Sequence, residues 1–393
     1  MEKYTLGKRI KPIGVILILL FFSFNSCSHK QDKQIIKLNI DENVETDYSS
    51  IFERVEYLQL KIPSDRVMGN IGKVFFTEGY IGVLDRRKES VWIFDNKGEL
   101  VNEISIIIGR GPGEVLTLSD VDFGREKQIH VLGAYRINTF DFNGQLKKEI
   151  QLPFLSRSFE YSEKGDFFLT FMNNEIATPK GDQKKGLYNL FSVSRDGKII
   201  DRFLPFQQSE TGLSRLLISN FYSYDNTIHH YSFLNNNIYQ VTGKNSVEKK
   251  YTIDYGENQI PDELFEKRDN YQTGLDFLRK EIYTKNFLVL STVMETSKHL
   301  IIGVNYSSKR GYLIYDKKEG ISRFSSSDNF INDFNLGLDI YFHISRNDHI
   351  YGVKSVSELR EFIEKNENAS NEELTNLISK NNDGPILIKA KLN

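Results

Sequence analysis

Short runs of β-branched and aromatic residues recur along this chain, each closed by a polar turn built on Asp, Asn, Ser and Gly. Val91-Trp92-Ile93-Phe94 leads into Asp95-Asn96-Lys97-Gly98, and Leu100, Val101 and Ile104 follow. Such runs predict strands. The Asp95 side chain can accept from amides two or three residues on, and Gly98 can enter the left-handed region without a Cβ penalty, so the turn predicts a tight hairpin.

The unit repeats. Phe94-Asp95-Asn96-Lys97-Gly98-Glu99-Leu100 returns as Phe140-Asp141-Phe142-Asn143-Gly144-Gln145-Leu146, 46 residues later. Upstream, Ile81, Val83 and Leu84 answer to Ile129, Val131 and Leu132 at an offset of 48, so a loop has shortened while the strands held. That period is the length of a propeller blade of four short strands. Leu190 to Ile199, with Asp196-Gly197 at its turn, reads as a third copy. Thr227 to Gly243 reads as a fourth and Leu300 to Gly320 as a fifth. A sixth combines Ile340 to Ile344 and His349 to Val353 with material from the chain ends. The expectation is an all-β, six-bladed β-propeller, with five or seven blades not separated by pattern alone. Closing the ring requires a strand from one terminus to pair with strands from the other, and Ile35 to Ile40, Val55 to Leu60 and Ile386 to Ala390 are the candidates.

Two stretches leave the β pattern. Pro261 to Tyr283 opens with proline and acids and then spaces Leu264, Phe265, Leu275 and Phe277 among charges, which predicts one or two short helices between blades four and five. Ser355-Val356-Ser357-Glu358 and Ser370-Asn371-Glu372-Glu373 both fit a capping box, predicting helices over 357–365 and 371–380 that interrupt the last blade before its outer strand.

The N-terminus reads differently. Lys3, Lys8, Arg9 and Lys11 form a basic head, and the apolar run Ile13 to Phe24 is too short to span a bilayer comfortably, as in a signal peptide over residues 1–26. Phe24-Asn25-Ser26-Cys27 resembles the lipobox of bacterial lipoproteins, which makes Cys27 the lipid attachment site; the plainer alternative is an ordinary signal peptide with an incidental cysteine. Residues 27–34 then form a lipidated tether and 35–393 the propeller. Cys27 is the chain's single cysteine, which removes intramolecular disulfides and CxxC metal sites. Loss of the leader, with four basic residues and one acid, takes the formal charge from −2 to −5, so nucleic-acid binding has no electrostatic support.

Ile108-Gly109-Arg110-Gly111-Pro112-Gly113-Glu114-Val115, leading into Ser119-Asp120-Val121-Asp122-Phe123, is similar to the glycine-rich link between NHL repeats. The closing Gly384 to Leu392 resembles the last strand of the same family. The chain thus resembles six-bladed bacterial propeller lipoproteins with NHL-like repeats. That resemblance implies a membrane-anchored propeller at the cell envelope, on an outer membrane and facing either periplasm or surface, and brings no shared catalytic constellation.

Candidate chemistry is sparse. The glycine-rich link fails as a phosphate cradle, because Glu114 stands at the third glycine position and no Lys-Ser/Thr follows. Arg110 and Glu114 remain as candidate binding residues at a mouth of the ring. His229 and His230 are adjacent and point to opposite faces of a strand, so they cannot share an ion, and no HExxH spacing exists. Asp120 and Asp122 lie at strand spacing near an inner strand, where a solvated or turn-capping role is expected. Tyr222, Tyr224, Tyr231, Phe233 and Tyr239 crowd one blade and are expected to fill space between blades. These readings converge on a non-catalytic envelope lipoprotein, without metal or cofactor, that binds a protein or carbohydrate ligand through one face of its propeller. The alternative is an NHL-like, metal-dependent lactonase or lyase with its site in the central channel, marked by three or more converging donors there.

Overall fold

A strand that is apolar at every position has two faces to bury, and its own sheet covers neither. The computed structural model, which describes residues 34–162, 164–170, 186–213, 219–307, 309–331, 333, 344–365, 372–379 and 384–393, meets this demand with a six-bladed β-propeller. Blade 1 spans 71–105, blade 2 spans 120–151, blade 3 spans 158–206, blade 4 spans 221–254 and blade 5 spans 289–326. Blade 6 takes three strands from 344–392 and its fourth, outermost strand from Phe52–Gln59.

Six apolar clusters hold the ring together, each centred on the faces of two successive blades. Blade 1 shows how one strand serves two of them. Val91 and Ile93 pack with Val121 and Ile129 of blade 2, while Trp92 and Phe94, alternating with them, pack with Leu387 of blade 6. Trp92 and Phe94 are fully buried, and burying a side chain of that size contributes roughly 2–3 kcal/mol. The smallest cluster lies between blades 3 and 4, where Phe168 and Leu190 meet Phe221 and Ile228.

The repeated turn works as its residues dictate, with one adjustment. Asp95 Oδ1 accepts from the amides of Lys97 and Glu99, two and four residues on, at 2.9 Å each, and Asp141 does the same with Asn143 and Gln145. Gly98 and Gly197 have φ of +79°, and a Cβ on either would stand 2.2 Å from a carbonyl oxygen in the outer strand of the preceding blade, Gln59 and Gln151 respectively. Glycine is therefore demanded twice over, by the left-handed backbone and by the close approach of a neighbour.

The ring closes as the chain ends allow. Phe52–Gln59 pairs antiparallel with Ile386–Leu392, from Phe52 opposite Leu392 to Gln59 opposite Ile386. The other N-terminal candidate does something else. Gln34–Lys37 adds in parallel to the outer edge of blade 4, beside Tyr251 to Asp254, and takes no part in closure. The chain then crosses blade 5, where Asn43 accepts from the Ser326 amide and Thr46–Asp47 pairs with Phe330–Ile331, before entering blade 6. This segment is a belt over three blades, covering sheet edges that would otherwise stay open.

Short helices and turns over Asp262–Phe265, Glu266–Asn270, Gly274–Phe277 and Leu278–Ile282 separate blades 4 and 5 and bury Leu264, Phe277 and Leu278 in the cluster between them. Val356–Lys365 and Glu372–Ser379 are helices packed beside blade 6 through Leu359 and Leu374. Glu358 completes the first capping box, accepting from the Ser355 amide while its own amide donates to Ser355 Oγ. They precede the third strand of blade 6, not the outer one, because the outer position belongs to Phe52–Gln59. Residues 340–343 of the expected sixth repeat lie outside the described residues.

Candidate functional site

The first strand of each blade faces the axis. Those of blades 1, 2 and 3 pack successively along one arc, and those of blades 4, 5 and 6 pack together along the other, the strand Phe221–Tyr224 reaching Ile344–Arg346. Between the arcs lies a cavity of about 910 Å³, bounded by the inner strands and by the hairpins that follow them near Asp166, Asn226, Ser297 and Asn347. Its size is at the upper end for small-molecule sites. A second hollow of about 430 Å³ joins the same rim and shares Phe76, Tyr161 and Arg346 with it.

Each arc carries a charged cluster. On the first, Lys73 Nζ donates to Asp120 Oδ1 and to the Val121 carbonyl, both at 2.9 Å, with Lys73 and Asp120 buried. Asp120 also accepts from Ser158 Oγ at 2.9 Å and from the Phe159 amide at 3.1 Å, tying blades 1, 2 and 3 together. Asp122 and Glu160, from the inner strands of blades 2 and 3, line the cavity beside this pair. They are poorly supplied with partners. Asp122 accepts from the adjacent Phe123 amide at 2.8 Å and from the Tyr161 amide at 3.5 Å, and Glu160 accepts from Ser223 Oγ at 3.0 Å. Burial, reinforced by Asp120, pushes the Asp122 carboxyl up to about 6; burial, reinforced by Asp122, pushes that of Glu160 up to about 8. Burial pulls the Lys73 ammonium down, but the carboxylates of Asp120, Asp122 and Glu160 outweigh it and leave it raised.

The second arc is the converse. The Glu295 side chain is fully buried and holds Lys250 at 2.9 Å, Lys317 at 2.7 Å, Tyr222 Oη at 2.8 Å and Tyr251 Oη at 2.8 Å. Its backbone amide donates to Ser345 Oγ of blade 6 at 3.0 Å. Burial opposes its charge, yet Lys250 and Lys317 hold the carboxyl below the usual range. Lys317 also lies 4.1 Å from the centroid of the Tyr224 ring, which faces the cavity.

Sequence reasoning named Asp120 and Asp122 but expected solvation or turn capping; instead Asp120 is a buried ion-pair partner and Asp122 lines the cavity. Arg110 and Glu114 sit on the link between blades 1 and 2, and neither is among the residues that line these two hollows. Glu114 Oε2 accepts from the Gly111 amide at 2.6 Å, and Arg136 of blade 2 donates to the Gly111 and Glu114 carbonyls, so the link is packed down on its own blade. His229 stacks on Tyr222 and His230 packs edge-on to Phe221, on opposite faces as their adjacency requires. Burial pushes both imidazoles down to about 3 and that of His130 down to about 4. Of the five aromatics singled out in blade 4, Tyr222, Tyr231 and Phe233 are buried between blades, and Tyr222 also serves Glu295. Lys73, Glu160, Glu295 and Arg346 were missed, although each is a charge set in a short β run, as in Gly72-Lys73-Val74 and Val293-Met294-Glu295. Among the described residues no three His, Cys, Asp or Glu side chains form a group that could hold a metal ion. Cys27 and the apolar run before it lie outside the described residues, and no helix among those described is long and apolar enough to cross a membrane.

Residues 33–391 match the family model described as "Domain of unknown function (DUF4934)". No curated protein matches the chain. Among solved structures, a Bacteroides fragilis protein described as exported superposes with a TM-score of 0.72 at 18% identity, over 91% of this chain and 99% of its own. A DUF4221 family member from Bacteroides vulgatus gives 0.46 at 9% identity over 87% and 97% of the two chains. Virginiamycin B lyase from Staphylococcus aureus gives 0.41 at 10% identity over 86% and 99%. At such identities the first likeness shows the fold alone, and the other two carry no further argument.

Proposed function

The chain belongs to the DUF4934 family, whose model matches residues 33–391, and from that premise we propose an exported, lipid-anchored protein that binds a small polar ligand in the cavity between its two arcs. One observation carries the binding reading: a cavity of about 910 Å³ is lined by ionisable side chains of which several, Asp122 and Glu160 first, have no opposite charge within 4.0 Å among the described residues. Concave walls with a few polar groups that the protein leaves underused are what a small-molecule site requires. The exported description of the Bacteroides fragilis structure and the signal-like N-terminus with Cys27 support delivery out of the cytoplasm and anchoring through that sulfur, on an outer membrane. The resemblance to NHL-like propeller lipoproteins supports the same placement.

Thermal melting of the detergent-solubilised full chain against sugars, short peptides and organic anions tests the site. A matching ligand at a hundred times its Kd stabilises the fold by about 2.7 kcal/mol, a rise of several degrees. Ser223→Trp, which fills the cavity from one wall, is expected to abolish that rise. Failure of every class to raise the Tm, or survival of the rise in Ser223→Trp, overturns the reading. For the anchor, Cys27→Ser is expected to move the protein from the detergent phase to the aqueous phase.

A further inference from the structure

The cavity's unpaired charges are of both signs. Arg346, on the inner strand of blade 6, lines the cavity and the adjoining hollow, with its guanidinium carbon 5.9 Å from the Phe76 ring centroid. Its Nη1 donates to the Thr77 carbonyl at 3.0 Å, and among the described residues no carboxylate comes within 4.0 Å of it. A guanidinium has five donors, and this bond uses one. Asp122, across the cavity, and Glu78, in the adjoining hollow, are near enough for their charge to act on Arg346, yet neither comes within ion-pair distance and no side-chain bond spans either gap. Lys73 does not fill the first gap, since its ammonium is committed to Asp120 and Val121. Glu160 lies beyond Asp122 on blade 3 and has only a hydroxyl as partner.

A buried or half-buried charge without its counter-charge is unfavourable, and here an acceptor pole and a donor pole face one volume. Resting on the binding reading above, we propose that the ligand is a small zwitterion, its ammonium held by Asp122 and Glu160 and its oxyanion by Arg346. The guanidinium fork suits a carboxylate or a phosphate equally, so amino acids or short peptides and phosphoamines share the required chemistry. Phe76 and Tyr161, common to both hollows, give the stem between the charges an apolar wall.

Isothermal titration of the full chain in detergent with glycylglycine and phosphoethanolamine tests this, against N-acetylglycylglycine as the anion alone and glycylglycine amide as the cation alone. At least one zwitterion is expected to bind about tenfold or more tighter than either singly charged form, and which one binds separates a carboxylate from a phosphate. Arg346→Gln is expected to erase the preference over the cation, with partial recovery in Arg346→Lys. Glu160→Gln and Asp122→Asn are expected to erase the preference over the anion. Cooperative melting and unchanged circular dichroism of each variant separate these losses from misfolding. Equal binding of zwitterion and either single charge overturns the inference. Binding of glucose with no binding of any charged probe overturns it while leaving the cavity a ligand site, and no binding by any probe or by the wider panel overturns both.

Discussion

Two carboxylate clusters, one fully buried and one half-buried, face each other across the axis, and they differ in how completely they are served. Glu295 has two ammonium groups and two phenolic hydroxyls around it, bridging strands of blades 4 and 5, and its carboxyl is held below the usual range. Asp122 and Glu160 share one committed lysine with Asp120, reach few other donors and have carboxyls raised to about 6 and about 8. The first cluster is a clasp that consumes its own charge within the fold. The second leaves donors and acceptors unspent beside an open volume, and that difference, not the number of charges, distinguishes the two arcs.

The largest effect is expected on the clasp. Glu295→Gln strands Lys250 and Lys317 beside a neutral group, which should cost about 3–5 kcal/mol in a urea melt. Glu160→Gln mimics the neutral form that a carboxyl raised to about 8 already favours at pH 7, so it should cost less than about 1 kcal/mol there and stabilise at pH 9. A costlier Glu160→Gln than Glu295→Gln would erase the distinction between the arcs.

Next in size is the dependence of stability on pH. Asp122 and Glu160 are raised above their unfolded values, so the folded state retains protons the unfolded chain releases; their contribution is present below about pH 4 and lost as pH rises through 6 and 8. His130, His229 and His230 are lowered, so their contribution is present above about pH 6.5 and lost as pH falls toward 4 and 3, with Glu295 acting in the same direction. Three lowered imidazoles outweigh two raised carboxyls below about pH 6.5, so Tm against pH should rise to a maximum at about pH 6.5–7, and Glu160→Gln should flatten its alkaline limb. An alkaline limb that Glu160→Gln leaves unaltered would place the titrating group elsewhere. Smallest is Tyr251→Phe, which takes one of four donors from Glu295 and should cost about 1 kcal/mol by the same melt.

The ring was legible because its repeat is local. Asp95 to Gly98 and Asp141 to Gly144 encode the same hairpin within four residues each, and Val91 to Phe94 displays the apolar faces that neighbouring blades must cover. The partner of Gln34–Lys37 was not legible, since an isolated β run does not say which of several edges it will join, and it joined blade 4. The cavity was less legible still. Lys73, Asp120 and Glu160 are each an isolated charge in a strand, 47 residues separating the first two, and only the order of blades around the axis brings them together. Arg110 and Glu114 stood out because glycines surround them, yet those glycines serve to fold the link onto blade 2.

The closing strand has a consequence for biosynthesis. Phe52–Gln59 leaves the ribosome among the first parts of the propeller, and its partner Ile386–Leu392 is almost the last. Until that partner is made, blade 6 lacks its third strand and the early segment lacks its strand neighbour, so cooperative closure of the ring waits for it. Such a chain stays open along its length until that last strand is made, and the ring locks only when it pairs with Phe52–Gln59.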